Sequence, residues 1–365
     1  MLNIIADQNM PLVETLFAPF GRVNLLPGRS ITAADVREAD VLLVRSVTSV
    51  DRQLLEGSAV RFVGSATIGT DHIDKAYLVE AGIEFAHAPG CNAEAVVQYD
   101  LAVMSHLVPE WRQKTVGIVG CGNVGSRLYR RLVDLGVSCA VYDPFLSVDD
   151  IADLGDLAAV TACDIICLHT PLTTDGDYPS YHLFNKNILM ALNPDVLLIN
   201  AGRGAVIDNQ ALLHAFRQGF EGQVALDVWE SEPEVDRDLM AFVALATPHI
   251  AGYSLEGKIN GTTMIHKAFH HWIGLGEPEN RHHNKETLSP IDVDSLNQAI
   301  LRSYNIALDD KRMRVAINDS DTPVSQSFDQ LRKDYQVRHE FAHYAVEPDN
   351  AYAADCEKLG FTVLY

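Results

Sequence analysis

Short apolar runs alternate along this chain with segments whose apolar positions recur every three or four residues, the pattern of strands and helices in turn. From the N-terminus it predicts a strand over 2–6, a helix over 11–20, strands over 41–46 and 62–65, a helix over 72–81 and a strand over 83–87. A longer helical pattern covers 92–111, with Asn92 as N-cap and Ala95, Val96, Tyr99, Val103 and Leu107 as its apolar positions. Strands are then expected over 116–119, 138–142, 164–169, 196–200 and 224–226, with helices over 125–135, 185–192, 209–217 and 256–275 between and after them. Such alternation reads as α/β architecture with parallel sheets.

Three domains follow from this order. Residues 1–92, joined by 253–280 as the last helix crosses back, form a discontinuous, flavodoxin-like substrate (lid) domain. Residues 93–252 form a second α/β domain. A polar linker, 276–285, contains His282-His283 and marks a boundary. Beyond it, residues 286–365 read as a small C-terminal α+β domain: helix 293–306, strand 312–317, helix 327–335, strand 341–346, helix 351–359 and strand 361–364. Its sheet must bury one face, and it carries no catalytic constellation of its own, so oligomerisation is the economical reading.

Gly120-Cys121-Gly122-Asn123-Val124-Gly125 is a GxGxxG lying between a buried-strand pattern and a helix start. There Gly120 makes the tight turn, Gly122 lets backbone approach a pyrophosphate, and Gly125 lets helix pack on strand. Asp143 ends the next strand, eighteen residues beyond Gly125. A carboxylate there accepts from ribose hydroxyls and repels a 2′-phosphate, so a Rossmann domain binding NAD rather than NADP is expected.

Composition narrows the function. At 365 residues with 47% hydrophobic content, the chain can fill more than one core. It has no run of some eighteen uncharged apolar residues and no signal-peptide pattern, so a soluble, cytoplasmic protein is expected. The six cysteines are scattered without metal or disulfide spacing and read as reduced thiols. His266 and His270 sit four apart on a helix, but no third ligand accompanies them; they read as a polar helix face, and no metal is expected. A net charge of −21 argues against nucleic acid or a membrane surface as partner. An anionic substrate must then meet a locally basic pocket.

Candidate groups lie at strand ends, where open α/β sheets bind ligands. Arg45, Ser46 and Thr67 do so in the first domain and are candidates for holding an acidic small molecule, although Ser46 and Thr67 each also fit ordinary turn chemistry. In the second domain successive strand ends present Arg203, then Asp227 with Glu232 beyond it, then His249. An arginine to fork a carboxylate, a histidine to take a hydroxyl proton and a carboxylate to orient that histidine are what oxidation of a 2-hydroxy acid requires.

The motifs GCGNVG, NAGRG, ALDVWESEP and TPHIAGY, in this order and spacing, resemble the D-isomer-specific 2-hydroxyacid dehydrogenases over residues 1–275. The resemblance implies that Arg203, Glu232 and His249 are catalytic. It implies NAD contacts at Gly120, Gly122, Asn123, Val124, Gly125, Asp143, Thr170, Ala201, Arg203, Asp227 and Gly252. It also implies substrate contacts at Ser46, Thr67, Arg203 and Tyr253, to which Arg45 is added as a phosphate candidate. The stretches 44–48, 88–93 and 328–335 resemble a branch acting on a phosphorylated four-carbon 2-hydroxy acid, and the last of them implies a small C-terminal dimerisation domain and a homodimer. Two alternatives stay open: a dehydrogenase of another such acid, for example 3-phospho-D-glycerate, and an NAD-sensing binding protein on the same fold.

Overall fold

The computed structural model describes residues 1–278 and 287–365. The linker positions His282 and His283 lie outside the described residues. Two compact units emerge, Met1–Asn92 with Ser254–Lys285, and Ala93–Tyr253 with Glu286–Tyr365.

The first unit holds five parallel strands, β1 (Leu2–Asp7), β2 (Gly21–Leu26), β3 (Val41–Val44), β4 (Phe62–Ser65) and β5 (Glu84–His87). Their order, β2-β1-β3-β4-β5, is that of flavodoxin-like sheets. β3 and β4 are buried along their whole length, as central parallel strands with helices on both faces must be. β2 escapes the sequence pattern because it is an edge strand: Arg22 is exposed and the rest half-buried, so no apolar run marks it. The helix Leu255–Trp272 belongs to this unit, started by Ser254, whose hydroxyl accepts from the Gly257 N–H at 2.9 Å. His266 on that helix is buried rather than on a polar face: its ring packs edge-on against Phe17 at 5.3 Å and lies 4.4 Å from that of His270. The pair therefore belongs to an aromatic cluster with Phe20 and Phe269.

The second unit is built on six parallel strands: β6 (Val116–Val119), β7 (Cys139–Tyr142), β8 (Ile165–Leu168), β9 (Leu197–Asn200), β10 (Gln223–Leu226) and β11 (Leu245–Ala246), ordered β11-β10-β9-β8-β6-β7. Beyond β7 only a single bridge, Val141 to Leu154, stands where a further strand would lie in a full Rossmann sheet. The helix Ala93–Leu107 is buried nearly all round. It is covered by the C-terminal segment, where the Gln98 amide donates to Ser303 at 3.3 Å and to the His339 carbonyl at 3.1 Å.

That segment is therefore packed in one unit with the nucleotide domain. Its helices are Leu296–Ser303, Ile306–Asn318, Val324–Lys333 and Ala353–Leu359, and its strands β12 (Ser289–Pro290), β13 (Tyr344–Val346) and β14 (Thr362–Val363) form a small parallel sheet. The strand expected over 312–317 is helix. Arg312-Met-Arg-Val-Ala-Ile317 alternates like a strand, but burial of Ile306, Met313 and Ile317 follows a helical face, while Val315 is exposed. All six cysteines are free. No described helix is long and apolar enough to cross a membrane.

Candidate active site

The glycine loop has the geometry its sequence demands. Gly120 has φ +86°, and a Cβ there would meet Thr170 backbone at 2.9 Å. A Cβ on Gly125 would come 2.1 Å from the Gly120 carbonyl oxygen, so only glycine lets the helix Gly125–Asp134 start so close to β6. Around Gly122 there is open space, as close approach of a pyrophosphate requires. Asn123 is exposed beside it and Val124 half-buried at the helix start. Asp143, at the end of β7, accepts from the Cys121 N–H at 2.8 Å and the Phe145 N–H at 3.1 Å, which ties its carboxylate to the loop. The Thr170 hydroxyl is buried with no hydrogen-bond partner. An orphaned hydroxyl on a residue packed against Gly120, with open space around Gly122, suits a dinucleotide, and these residues fit NAD.

Three further strand ends complete this edge of the sheet. After β9, the Asn200 side chain donates to the Arg203 carbonyl at 2.9 Å and accepts from Gly202 N–H at 3.1 Å, shaping the turn that holds Ala201 and Arg203. Arg203 Nη1 donates to the Gly202 carbonyl at 2.8 Å. After β10 comes Asp227, only 1% exposed. Its Oδ1 accepts from the Thr247 hydroxyl at 2.7 Å and the Ile250 N–H at 2.8 Å, and its Oδ2 from the Ala251 N–H at 2.9 Å. Asp227 thus moulds the loop after β11. Trp229 adds a bond from its indole N–H to the Thr247 carbonyl at 3.0 Å.

That loop carries His249 in the left-handed region, φ +56°, an uncommon state for a residue with a side chain. The His249 N–H donates to the Asp227 carbonyl at 2.7 Å, so the strain is held by the same residue that shapes the loop. Its Nδ1 lies 2.5 Å from Glu232 Oε1. Glu232 Oε2 accepts from the Trp229 N–H at 3.2 Å. Burial pushes the Glu232 carboxyl up, but His249, the Trp229 N–H and the Arg332 guanidinium outweigh it and hold the carboxyl below its ordinary range. An ionised Glu232 only accepts, so His249 Nδ1 carries the proton and Nε2 is left to meet a ligand.

Arg203, Glu232, His249, Gly252 and Tyr253 thus stand in one unit with the glycine loop, Asp143, Thr170 and Asp227. Arg45, Ser46 and Thr67 belong to the other unit. There the Arg45 Nε pairs with the buried Asp7 at 3.1 Å, Ser46 is exposed, and the Thr67 hydroxyl donates to the Gly69 carbonyl at 2.9 Å and lies 2.7 Å from Ser65 Oγ. Sequence reasoning missed two features of the second unit. Arg338, from the C-terminal segment, donates to the Ala251 carbonyl and braces the His249 loop from behind. His169, just before Thr170, lies 3.0 Å from the buried Asp100 of the helix Ala93–Leu107, and burial raises that carboxyl above its ordinary range. Nothing in helical spacing sets Asp100 apart as a partner for His169.

Comparison with known proteins bears on this geometry. The family model described as D-isomer specific 2-hydroxyacid dehydrogenase, NAD binding domain, matches residues 93–251, and a domain of unknown function matches 278–360. Among solved structures, D-lactate dehydrogenase of Aquifex aeolicus, complexed with NAD and lactic acid, is similar at TM-score 0.63 and 20% identity, over 74% of this chain and 95% of that one. An NADPH-dependent glyoxylate/hydroxypyruvate reductase of Sinorhizobium meliloti is similar at TM-score 0.64 and 23% identity, over 76% and 95%. At these identities the likeness is one of fold, that of the 2-hydroxyacid dehydrogenases.

Similarity extends over the whole chain to erythronate-4-phosphate dehydrogenases. That of Teredinibacter turnerae is 48% identical over 99% of each chain, and that of Escherichia coli O7:K1 42% identical over 100% of this chain and 99% of its own. The chain belongs to the erythronate-4-phosphate dehydrogenase family, a branch of the D-isomer-specific 2-hydroxyacid dehydrogenases.

Proposed function

We propose that the protein oxidises 4-phospho-D-erythronate at C2 to (R)-3-hydroxy-2-oxo-4-phosphooxybutanoate with NAD+, in the route to pyridoxal 5′-phosphate. In this reading it acts as a cytoplasmic homodimer joined through its C-terminal domain. The observation that supports the chemistry most strongly is the 2.5 Å pairing of His249 Nδ1 with Glu232, at the same end of the parallel sheet as the glycine turn. Full-length similarity to erythronate-4-phosphate dehydrogenases supports the choice of acid.

Arg203 forks the substrate carboxylate and polarises the C2 oxygen, which fixes the face that C2 presents. His249 Nε2 takes the hydroxyl proton, becoming imidazolium. Glu232 orients the ring and stabilises that charge. Gly120, Gly122, Asn123, Val124, Gly125, Asp143, Thr170, Ala201, Asp227 and Gly252 hold the cofactor, with the Thr170 hydroxyl gaining a partner. NAD+ held by these residues would supply the acceptor for the C2 hydride. Ser46, Thr67 and Tyr253, with Arg45, contact the acid.

Initial rates of NADH formation test this, with 4-phospho-D-erythronate, 3-phospho-D-glycerate and D-lactate compared in the presence of a ketone trap. Selective turnover of the four-carbon phosphate is expected. Turnover of 3-phospho-D-glycerate instead would keep the site and change the substrate, and NAD binding without any turnover would leave a sensing protein.

A further inference from the structure

The domain matched at 278–360 has no assigned function, yet its helix Val324–Lys333 delivers a cation to the catalytic loop. The Arg332 guanidinium carbon lies 5.5 Å from the centroid of the Tyr253 ring and 5.9 Å from that of Phe328. Its head group hydrogen-bonds the Tyr253 hydroxyl, and its charge is felt by Glu232 and Asp227. The carboxylate oxygens of those two residues are already committed. Glu232 serves His249 and the Trp229 N–H, while Asp227 serves Thr247, Ile250 and Ala251. Meanwhile Arg332 Nε is buried without a hydrogen-bond partner among the described residues. A buried guanidinium N–H without an acceptor is a standing cost that an anionic ligand oxygen removes.

We propose that Arg332 is a specificity-determining residue, receiving the phosphate of the substrate while Arg203 receives its carboxylate. The inference rests on the reaction proposed above. A substrate with two anionic ends needs two cations in a chain of net charge −21. Planar guanidinium suits both, since it presents paired donors to carboxylate and phosphate oxygens alike. The position of Arg332 next to Tyr253, itself a proposed substrate contact, puts the second cation one aromatic ring away from the catalytic pair. The C-terminal domain is then part of the recognition machinery of its own chain.

The test compares wild type, Arg332→Gln and Arg332→Lys on 4-phospho-D-erythronate and on D-erythronate, which lacks the phosphate. Calorimetric titration of 4-phospho-D-erythronate into the NADH-loaded protein supplies a readout independent of turnover. Arg332→Gln is expected to reduce the preference for the phosphorylated acid by about 10- to 100-fold, mainly through KM, and to weaken its binding by a similar factor. Arg332→Lys, which keeps the charge but loses the fork, should retain part of the preference. NADH affinity, measured first, shows that each variant is folded; if Arg332→Gln is not, the Lys variant carries the comparison. An unchanged preference, or an equal loss on both acids, would overturn the assignment and leave Arg332 acting only through Glu232. Absence of turnover of 4-phospho-D-erythronate by wild type would instead remove the proposed reaction, and this assignment with it.

Discussion

Each unit of this protein ends its parallel sheet in an edge of polar loops, and the two edges use their polar groups differently. In the first unit the groups satisfy one another: Arg45 is held by buried Asp7, and Thr67 is tied to Gly69 and Ser65, which in turn lies 2.9 Å from His72. In the second unit hydrogen-bonding capacity is left over. Thr170 Oγ1 and Arg332 Nε are buried without partners, and Gly122 borders open space. Since buried polar groups are nearly always paired, unspent capacity at a strand edge marks where a ligand completes the structure. The first edge offers groups already fixed by one another, and the second keeps capacity open for the cofactor and the acid.

The sharpest way to break this contrast is to remove a group from the second edge. Arg203→Ala should lower kcat/KM by about 100- to 1,000-fold, because it deletes a preorganised charge at the reacting carboxylate and C2 oxygen. NAD affinity, followed by fluorescence quenching, should largely survive, and near-normal turnover would take Arg203 out of the mechanism. A gentler pair of changes sets like against like. Thr170→Val keeps shape and removes a hydroxyl with no protein partner, so it should weaken NAD binding by about 10-fold and leave the melting temperature unchanged or higher. Thr67→Val removes a hydroxyl that is already bonded, so it should destabilise the protein by about 1 kcal/mol in urea unfolding, with NAD affinity unchanged. If both valines behaved alike, the distinction between an edge whose groups are already paired and one with capacity left over would fail.

Much of this was legible in sequence, for physical reasons that differ by region. The nucleotide sheet announces itself because fully buried parallel strands are uninterrupted apolar runs, such as Val116–Val119, and because the glycine turn tolerates no other residue at Gly120 and Gly125. The edge strand Gly21–Leu26 was hidden, since half-exposure erases the run. The helix Ile306–Asn318 was mistaken in part for a strand because Val315 faces outward despite being apolar. Arg203, Glu232 and His249 stand out by their chemistry, and in the structure they follow β9, β10 and β11, parallel strands that end on one edge of the sheet. The roles of Asp227 as loop former, Arg338 as brace and Arg332 beside Tyr253 were not readable, because each depends on contacts between segments distant in sequence.

The most direct test of the central claim, that Glu232 stays ionised in order to hold His249 ready for the hydroxyl proton, is the pH dependence of kcat/KM for wild type and Glu232→Gln. The Glu232 carboxyl lies below its ordinary range, so the charge is present throughout neutral pH and is lost only as pH falls through that lowered value. Proton acceptance requires neutral imidazole, so wild-type activity should rise with pH along an acid limb. Removing the carboxylate withdraws support from the imidazolium, so in Glu232→Gln the limb should move to lower pH while the plateau falls. Profiles that superimpose in position, whatever their height, would contradict the pairing as the engine of proton transfer.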